Sequence, residues 1–145
     1  MSASPPKLWN ALVRTHHITS RKKVAKLKQA ASNHEVFVLL RSGGPPGLMY
    51  VEGTARGVED WVGVVQVDSG LTAERKRLRY KDYQLAARPA NVKHDACAER
   101  EARVVERDGL QETDTVKGFA GQMGRRGVYT WWRDAMGYTG KDEHL

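Results

Sequence analysis

Between Trp9 and Arg88 strand-like and helix-like patterns follow one another in the order β-α-β-β-α-β, which predicts an α+β domain of the ferredoxin-like kind with additional C-terminal helices. Three observations carry that expectation. Runs of β-branched and aromatic residues recur at Trp9–Ile18 (WNALVRTHHI), Glu35–Leu40 (EVFVLL) and Leu48–Gly53 (LMYVEG). Two segments with helical apolar periodicity lie between and after these runs. The Gly/Pro punctuation at Ser42–Gly47 (SGGPPG) joins the second and third strands with too few residues for a crossover, so those strands pair antiparallel.

The first strand is followed by Thr19 or Ser20, either of which can cap a helix running to about Ser32. Val24, Leu27 and Ala31 share one face of that helix, opposite Lys22, Lys26 and Gln29. The second strand is apolar at every position from Val36 to Leu40, so both faces of the sheet should be covered there. A second helix is expected over about Val58–Gln66, with Val58, Trp61, Val62 and Val65 at i, i+3, i+4 and i+7. Lys81–Arg88 (KDYQLAAR) reads as the fourth strand. The remainder is expected to be helical, with Val116, Phe119, Ala120 and Met123 marking one amphipathic helix and Val128, Trp131, Trp132 and Ala135 another. The two tryptophans read as packing residues and not as base-stacking ones. The 145 residues thus form a single domain: a core over 8–88 with a loop insertion at about 67–77, a helical extension over 89–137 and a tail over 138–145.

The charge is unevenly placed. Of 24 Lys and Arg, seven (Lys7, Arg14, Arg21, Lys22, Lys23, Lys26, Lys28) precede Glu35, the first acid, and the rest of the chain is neutral by formal count. The whole net charge of +7 therefore belongs to the first 34 residues. A localised field of this kind steers polyanions more effectively than the same charge spread evenly; the competing reading is a solvated helix face that aids solubility. The single cysteine, Cys97, forms no internal disulfide and suits a reducing, intracellular compartment. No apolar run is long enough to span a bilayer, so a membrane partner is not expected.

The start of the first helix is the most informative constellation. Acids normally occupy a helix N-terminus, where the macrodipole favours negative charge. Here the first turn carries Arg21, Lys22 and Lys23, preceded by hydroxyls at Thr19 and Ser20 and by His16 and His17. Cations, hydroxyls and free backbone N–H groups together suit a phosphate. A second basic cluster, Arg75, Lys76, Arg77, Arg79 and Lys81, is interleaved with Tyr80 and Tyr83. Alternating cations and aromatics on a strand can hold phosphates and stack an unpaired base, or can blunt a sheet edge.

Signatures of catalysis are weak. His17-Ile18-Thr19 matches half of a two-histidine phosphoesterase motif, but His34, His94 and His144 supply no second half. The Gly43–Gly47 loop lacks the Lys-Ser/Thr of a P-loop, and the cysteine and histidines have no zinc spacing. No catalytic residue, metal, cofactor or small-molecule substrate is expected. Tyr50 alone stands where an RNA-recognition motif would carry its stacking aromatics, which argues against base readout on the sheet.

The runs HHITSRKK (His16–Lys23), GGPPGLMYVEG (Gly43–Gly53), Trp61 and LRYKDYQL (Leu78–Leu85) resemble, in order and spacing, the C-terminal domain of the spliceosomal pre-mRNA processing factor three. The same domain forms the second half of RWD-domain-containing type 2 proteins. The resemblance covers Trp9–Arg88 and, more weakly, Val116–Met136. It implies a ferredoxin-like core and binding to structured small nuclear RNA within a ribonucleoprotein, which favours the nucleus over the cytoplasm. Two departures stand out: no RWD-type segment precedes this region, and Val67–Arg77 intervenes where the family passes directly from helix to strand. The expected function is that of a non-enzymatic RNA-binding module of mRNA splicing type. Arg21, Lys22, Lys23 and Lys26 would hold phosphates, with His17, Arg79, Tyr80 and Lys81 as a second set. The competing class is a protein-interaction scaffold that uses the C-terminal helices.

Overall fold

The alternation of side chains along β3 (Gly47–Gly53) divides the protein into two layers of core. The computed structural model describes residues 8–15, 18, 20–67, 83–91 and 109–138. In it β3 is the middle strand of a five-stranded sheet, flanked by β1 (Trp9–Thr15) and β2 (Phe37–Arg41), with β4 (Tyr83–Asn91) and β5 (Gly109–Thr113) outermost, in the order β4-β1-β3-β2-β5. All pairings are antiparallel except β2–β5. The first four strands therefore have the ferredoxin-like arrangement, with strands one and three adjacent at the centre as the sequence predicts.

Met49 and Val51 point to one side, where Ala11, Val13, Val38 and Leu40 join them beneath α1 (Arg21–Asn33) and α2 (Ala55–Val67). Trp61 of α2 is fully buried in this layer and its indole N–H donates to the Leu27 carbonyl at 3.3 Å, joining the two helices directly. Leu48 and Tyr50 point the other way, with Leu12, Phe37 and Leu39, beneath α3 (Val116–Arg125) and α4 (Tyr129–Met136). Cover on both faces is the reason β2 is apolar from Phe37 to Leu40. Trp132 is buried and Trp131 half-buried in the second layer, where Trp131 meets Tyr50 edge-on at 5.8 Å between ring centroids.

Two features differ from the sequence expectation. The helical extension expected over 89–137 contains β5, whose GLQET sequence has one apolar residue and no usable periodicity. Its strand form comes from the parallel ladder with β2, Phe37 opposite Gly109 through Arg41 opposite Thr113. The fourth strand also runs to Asn91 and includes Pro89. A proline is tolerated there because β4 is an edge strand, and the register against β1 shifts twice along it. Of the loop insertion expected at about 67–77, Val67 ends α2 and 68–77 lie outside the described residues. Gly43 is required by proximity: a Cβ there would collide with the Asp114 carbonyl oxygen, because the loop after β2 packs backbone to backbone on the end of β5. Ser42 N–H donates to the Thr113 carbonyl at the same place.

The second layer also contains charge. Arg126, at the C-cap of α3, is 0 % exposed; its Nη1 donates to Glu52 Oε2 at 2.6 Å and its guanidinium lies 3.5 Å over the Phe37 ring. Glu52 Oε1 accepts from the Tyr50 hydroxyl at 2.7 Å, and that hydroxyl accepts from Asn10 Nδ2 at 3.2 Å. Removing one member of a buried ion pair strands the other, at about 3–5 kcal/mol. Arg126→Met should therefore lower unfolding free energy by about that amount in urea titrations. Adding Glu52→Gln should recover a large part of the loss, because the new amide oxygen still accepts from Tyr50 and no charge remains buried. Equal stabilities of the single and double variants would show that the charge itself is not what costs.

Candidate nucleic-acid interface

Helix α1 begins where Ser20, in extended backbone, accepts a hydrogen bond from the Lys23 N–H at 3.1 Å. Of the two hydroxyls that the sequence offers as caps, Ser20 is thus the one in place. Val24, Leu27, Ala30 and Ala31 face the core, which turns Arg21, Lys22, Lys26 and Lys28 to the surface and leaves Lys23 half-buried. No acid occurs anywhere along the helix. Lys22 and Lys26, one turn apart, repel each other by about 0.2–0.5 kcal/mol. The outcome is a basic ridge about 10 Å long from Arg21 to Lys28, at 1.5 Å per residue. Lys23 and Lys26 each take part in a further interaction of their own.

Arg21 has a different environment from the one its neighbours in sequence suggest. Its Nη2 donates to Glu112 Oε1 of β5 at 2.8 Å, and the Ser42 hydroxyl donates to the same oxygen at 2.9 Å. The carboxylate missing from the first turn of α1 is supplied by a strand 91 residues further along the chain. The helix start is therefore compensated through tertiary structure, which sequence inspection could not register. Arg21 is bound to an acid already, while Lys22 and Lys26 carry the ridge outward.

The hydrogen bond from Arg21 chiefly holds the Glu112 carboxyl below the usual carboxylate range; burial opposes it, and the Ser42 hydrogen bond and the Arg21 charge add to the lowering. A carboxyl whose folded pKa is depressed contributes stability that is present above its unfolded pKa and is lost as pH falls through the folded value. Glu112→Gln should therefore differ most from wild type above about pH 5 and converge with it in strong acid. Because Arg21 is well exposed, the difference should stay below about 1 kcal/mol and shrink with added salt. Thermal melts at pH 7 and pH 3 check both the sign and the convergence.

His17, Arg79, Tyr80 and Lys81 lie outside the described residues, as does His16. The described end of the fourth strand places Tyr83 opposite Thr15 of β1, so β4 begins at the sheet end from which the chain leaves toward α1. Tyr50 is fully buried beneath α3 and α4, and the central sheet surface is occupied by protein. Among the described residues no group of three or more His, Cys, Asp or Glu side chains is arranged to hold a metal ion. No described helix is long and apolar enough to cross a membrane. Glu112 and Arg126 were missed in the sequence: each gains its role from a partner distant along the chain, and no local pattern marks either.

Comparison with known proteins adds little to this geometry. No protein-family model matches the chain and no curated protein does. One solved structure that it is similar to is the calcium and cyclic-di-GMP complex of Klebsiella pneumoniae BlrP1, at 14 % identity and a TM-score of 0.48, over 83 % of this chain. The chain spans 28 % of the length of that protein.

Proposed function

We propose that this domain binds RNA without catalysis, holding the phosphates of a structured or overhanging strand along the exposed face of α1. The observation that carries the reading is the ridge of Lys22, Lys26 and Lys28 on a helix that has no acid of its own, with Lys23 beside it and Arg21 held by Glu112 at its start, fixed on the sheet by the buried side of the same helix. A helix pinned in this way presents its cations without paying for ordering at the moment of binding. Each phosphate neutralised releases condensed counterions, so affinity and salt dependence come from the same interactions. The cation-rich segment around Arg79, Tyr80 and Lys81, and His17, form the second set of RNA-holding groups in this reading. Resemblance to the domain of the pre-mRNA processing factor supports structured small RNA as the partner class, with other ribonucleoprotein subunits alongside it in the nucleus.

A protein-interaction role is favoured by one separate observation. Tyr129 and Tyr138, both packed on Trp132, remain 38 % and 37 % exposed on the sheet face opposite α1. That reading needs no cation on α1.

Substituting Lys22, Lys23 and Lys26 together by Ala should weaken binding of duplex RNA with a single-stranded overhang and leave the melting temperature nearly unchanged, because Ala is the best helix former. For every phosphate no longer neutralised, the slope of log K against log salt should fall by about 0.7–0.9. The weakening should be similar across RNA sequences, since phosphate binding carries no base information. Unchanged affinity and slope in the triple variant would remove α1 as the interface. Absence of binding by the unaltered protein at low salt would leave the protein-interaction reading in its place.

A further inference from the structure

The strand registers place two arginines in one row on the sheet face opposite α1. Arg14 of β1 lies opposite Leu48 of β3, and Leu48 lies opposite Arg41 of β2. The row continues to Thr113 of β5 on one side and to Gln84 of β4 on the other. Leu12, Leu48, Phe37 and Leu39 all belong to the second core layer, so alternation puts Arg14 and Arg41 on that same face. Their backbones are two strands apart, about 9–10 Å.

The charges in this layer are treated differently at its two ends. At one end Arg126 is matched by Glu52. At the other end Arg14, half-buried, forms no ion pair or hydrogen bond with a described residue. Arg41, also half-buried, donates through Nη1 to the carbonyls of Gly44 and Pro46. Carbonyl dipoles fix the guanidinium in place, and no carboxylate of a described residue pairs with it. Glu112 points to the α1 side and is held by Arg21 and Ser42. Asp114 follows β5 and lies against Gly43. Two partly desolvated cations without a carboxylate between them cost free energy that an anion would offset, and reduced solvation strengthens that attraction.

The same end of the sheet carries the start of α1. Arg21 reaches Glu112, one residue from the Thr113 that pairs with Arg41. The cations of α1 and the two arginines thus flank one rim, formed by the ends of β1, β2 and β5 and the loop over 42–47. We infer that Arg14 and Arg41 form a second phosphate-holding row, and that a bound RNA strand crosses this rim from the α1 ridge to the opposite face of the sheet. The inference rests on the RNA reading above and adds to it a path and two residues. Arg14 supplies a cation that no described residue pairs with; Arg41 acts at the phosphate while clamping the loop that the strand passes over.

The test measures binding of a fluorescently labelled single-stranded RNA of about 12 nucleotides by anisotropy across a salt series. The proteins compared are wild type, Arg14→Gln, Arg14→Lys, and the pair Lys22→Ala with Lys26→Ala. Arg14→Gln should lose affinity severalfold at low salt and reduce the salt slope by about 0.7, the value for one phosphate on a single strand. Arg14→Lys should keep most of that slope, because holding a phosphate asks mainly for charge. A merely packing role for the Arg14 stem, covering Leu48, would instead show as a lower melting temperature in both variants with an unchanged slope, and would overturn the inference. Wild-type affinity and slope in Arg14→Gln, beside weakened binding in the Lys22 and Lys26 pair, would also overturn it while leaving the α1 interface standing. If wild type binds no RNA, both readings fall together.

Discussion

Glu52 lies near the end of the central strand with its carboxylate between the Tyr50 hydroxyl and the Arg126 guanidinium, and it is 3 % exposed. Because β3 is flanked by a strand on each side, Glu52 is opposite Asn10 on one neighbour and Phe37 on the other. Arg126 stacks on Phe37 and bonds Glu52, while Asn10 bonds the tyrosine. One short polar chain therefore ties three adjacent strands to the end of α3. A buried pair of this kind adds little net stability over an apolar equivalent, since desolvation offsets most of the attraction. What it does supply is a fixed attachment: the end of α3 is held at Glu52 and over the Phe37 ring. With α3 and α4 in place Tyr50 is buried and the face on which RNA-recognition motifs read bases is closed.

That closure leaves no stacking platform at the centre of the sheet. Tyr50 and Trp131 are taken up in packing, while Arg21, Lys22, Lys26 and Lys28 of α1 are exposed and Arg14 and Arg41 are half-buried at the strand-end rim. The basic ridge is oriented by the opposite side of its own helix. Val24, Leu27, Ala30 and Ala31 bury against the first core layer, and the Trp61 indole holds α2 against the Leu27 carbonyl. Glu112 then modifies the ridge at its N-terminal end, binding Arg21 at the point where the helix macrodipole would otherwise meet uncompensated positive charge. The electrostatics of the site thus depend on β5, the strand with the weakest sequence signal in the sheet.

Much of the architecture was legible because its signals are local and periodic. The stripe through Val58, Trp61, Val62 and Val65, the unbroken apolar run from Val36 to Leu40 and the Gly/Pro loop into β3 each have one comfortable solution, and together they define the order of the first four strands. The element ends were less legible. The second helix starts at Ala55, three residues before its apolar stripe, because Thr54 accepts from the Gly57 N–H and starts the turn ahead of the stripe. Pro89 ordinarily marks the end of a strand, and only the edge position of β4 makes it compatible with the ladder.

By itself the sequence determined the ferredoxin-like core, the buried faces of α1 and α2, the packing role of Trp131 and Trp132, and the concentration of positive charge before Glu35. These follow from periodicity and composition, which act over a few residues and need no knowledge of what lies across the fold. Tertiary structure alone decided that GLQET is a strand, that Glu112 meets Arg21, that Arg126 is buried against Glu52, and that Arg14 and Arg41 share a row. Each of these depends on a register or a contact between segments far apart in the chain. A polar side chain carries no periodic mark of the partner it will find there.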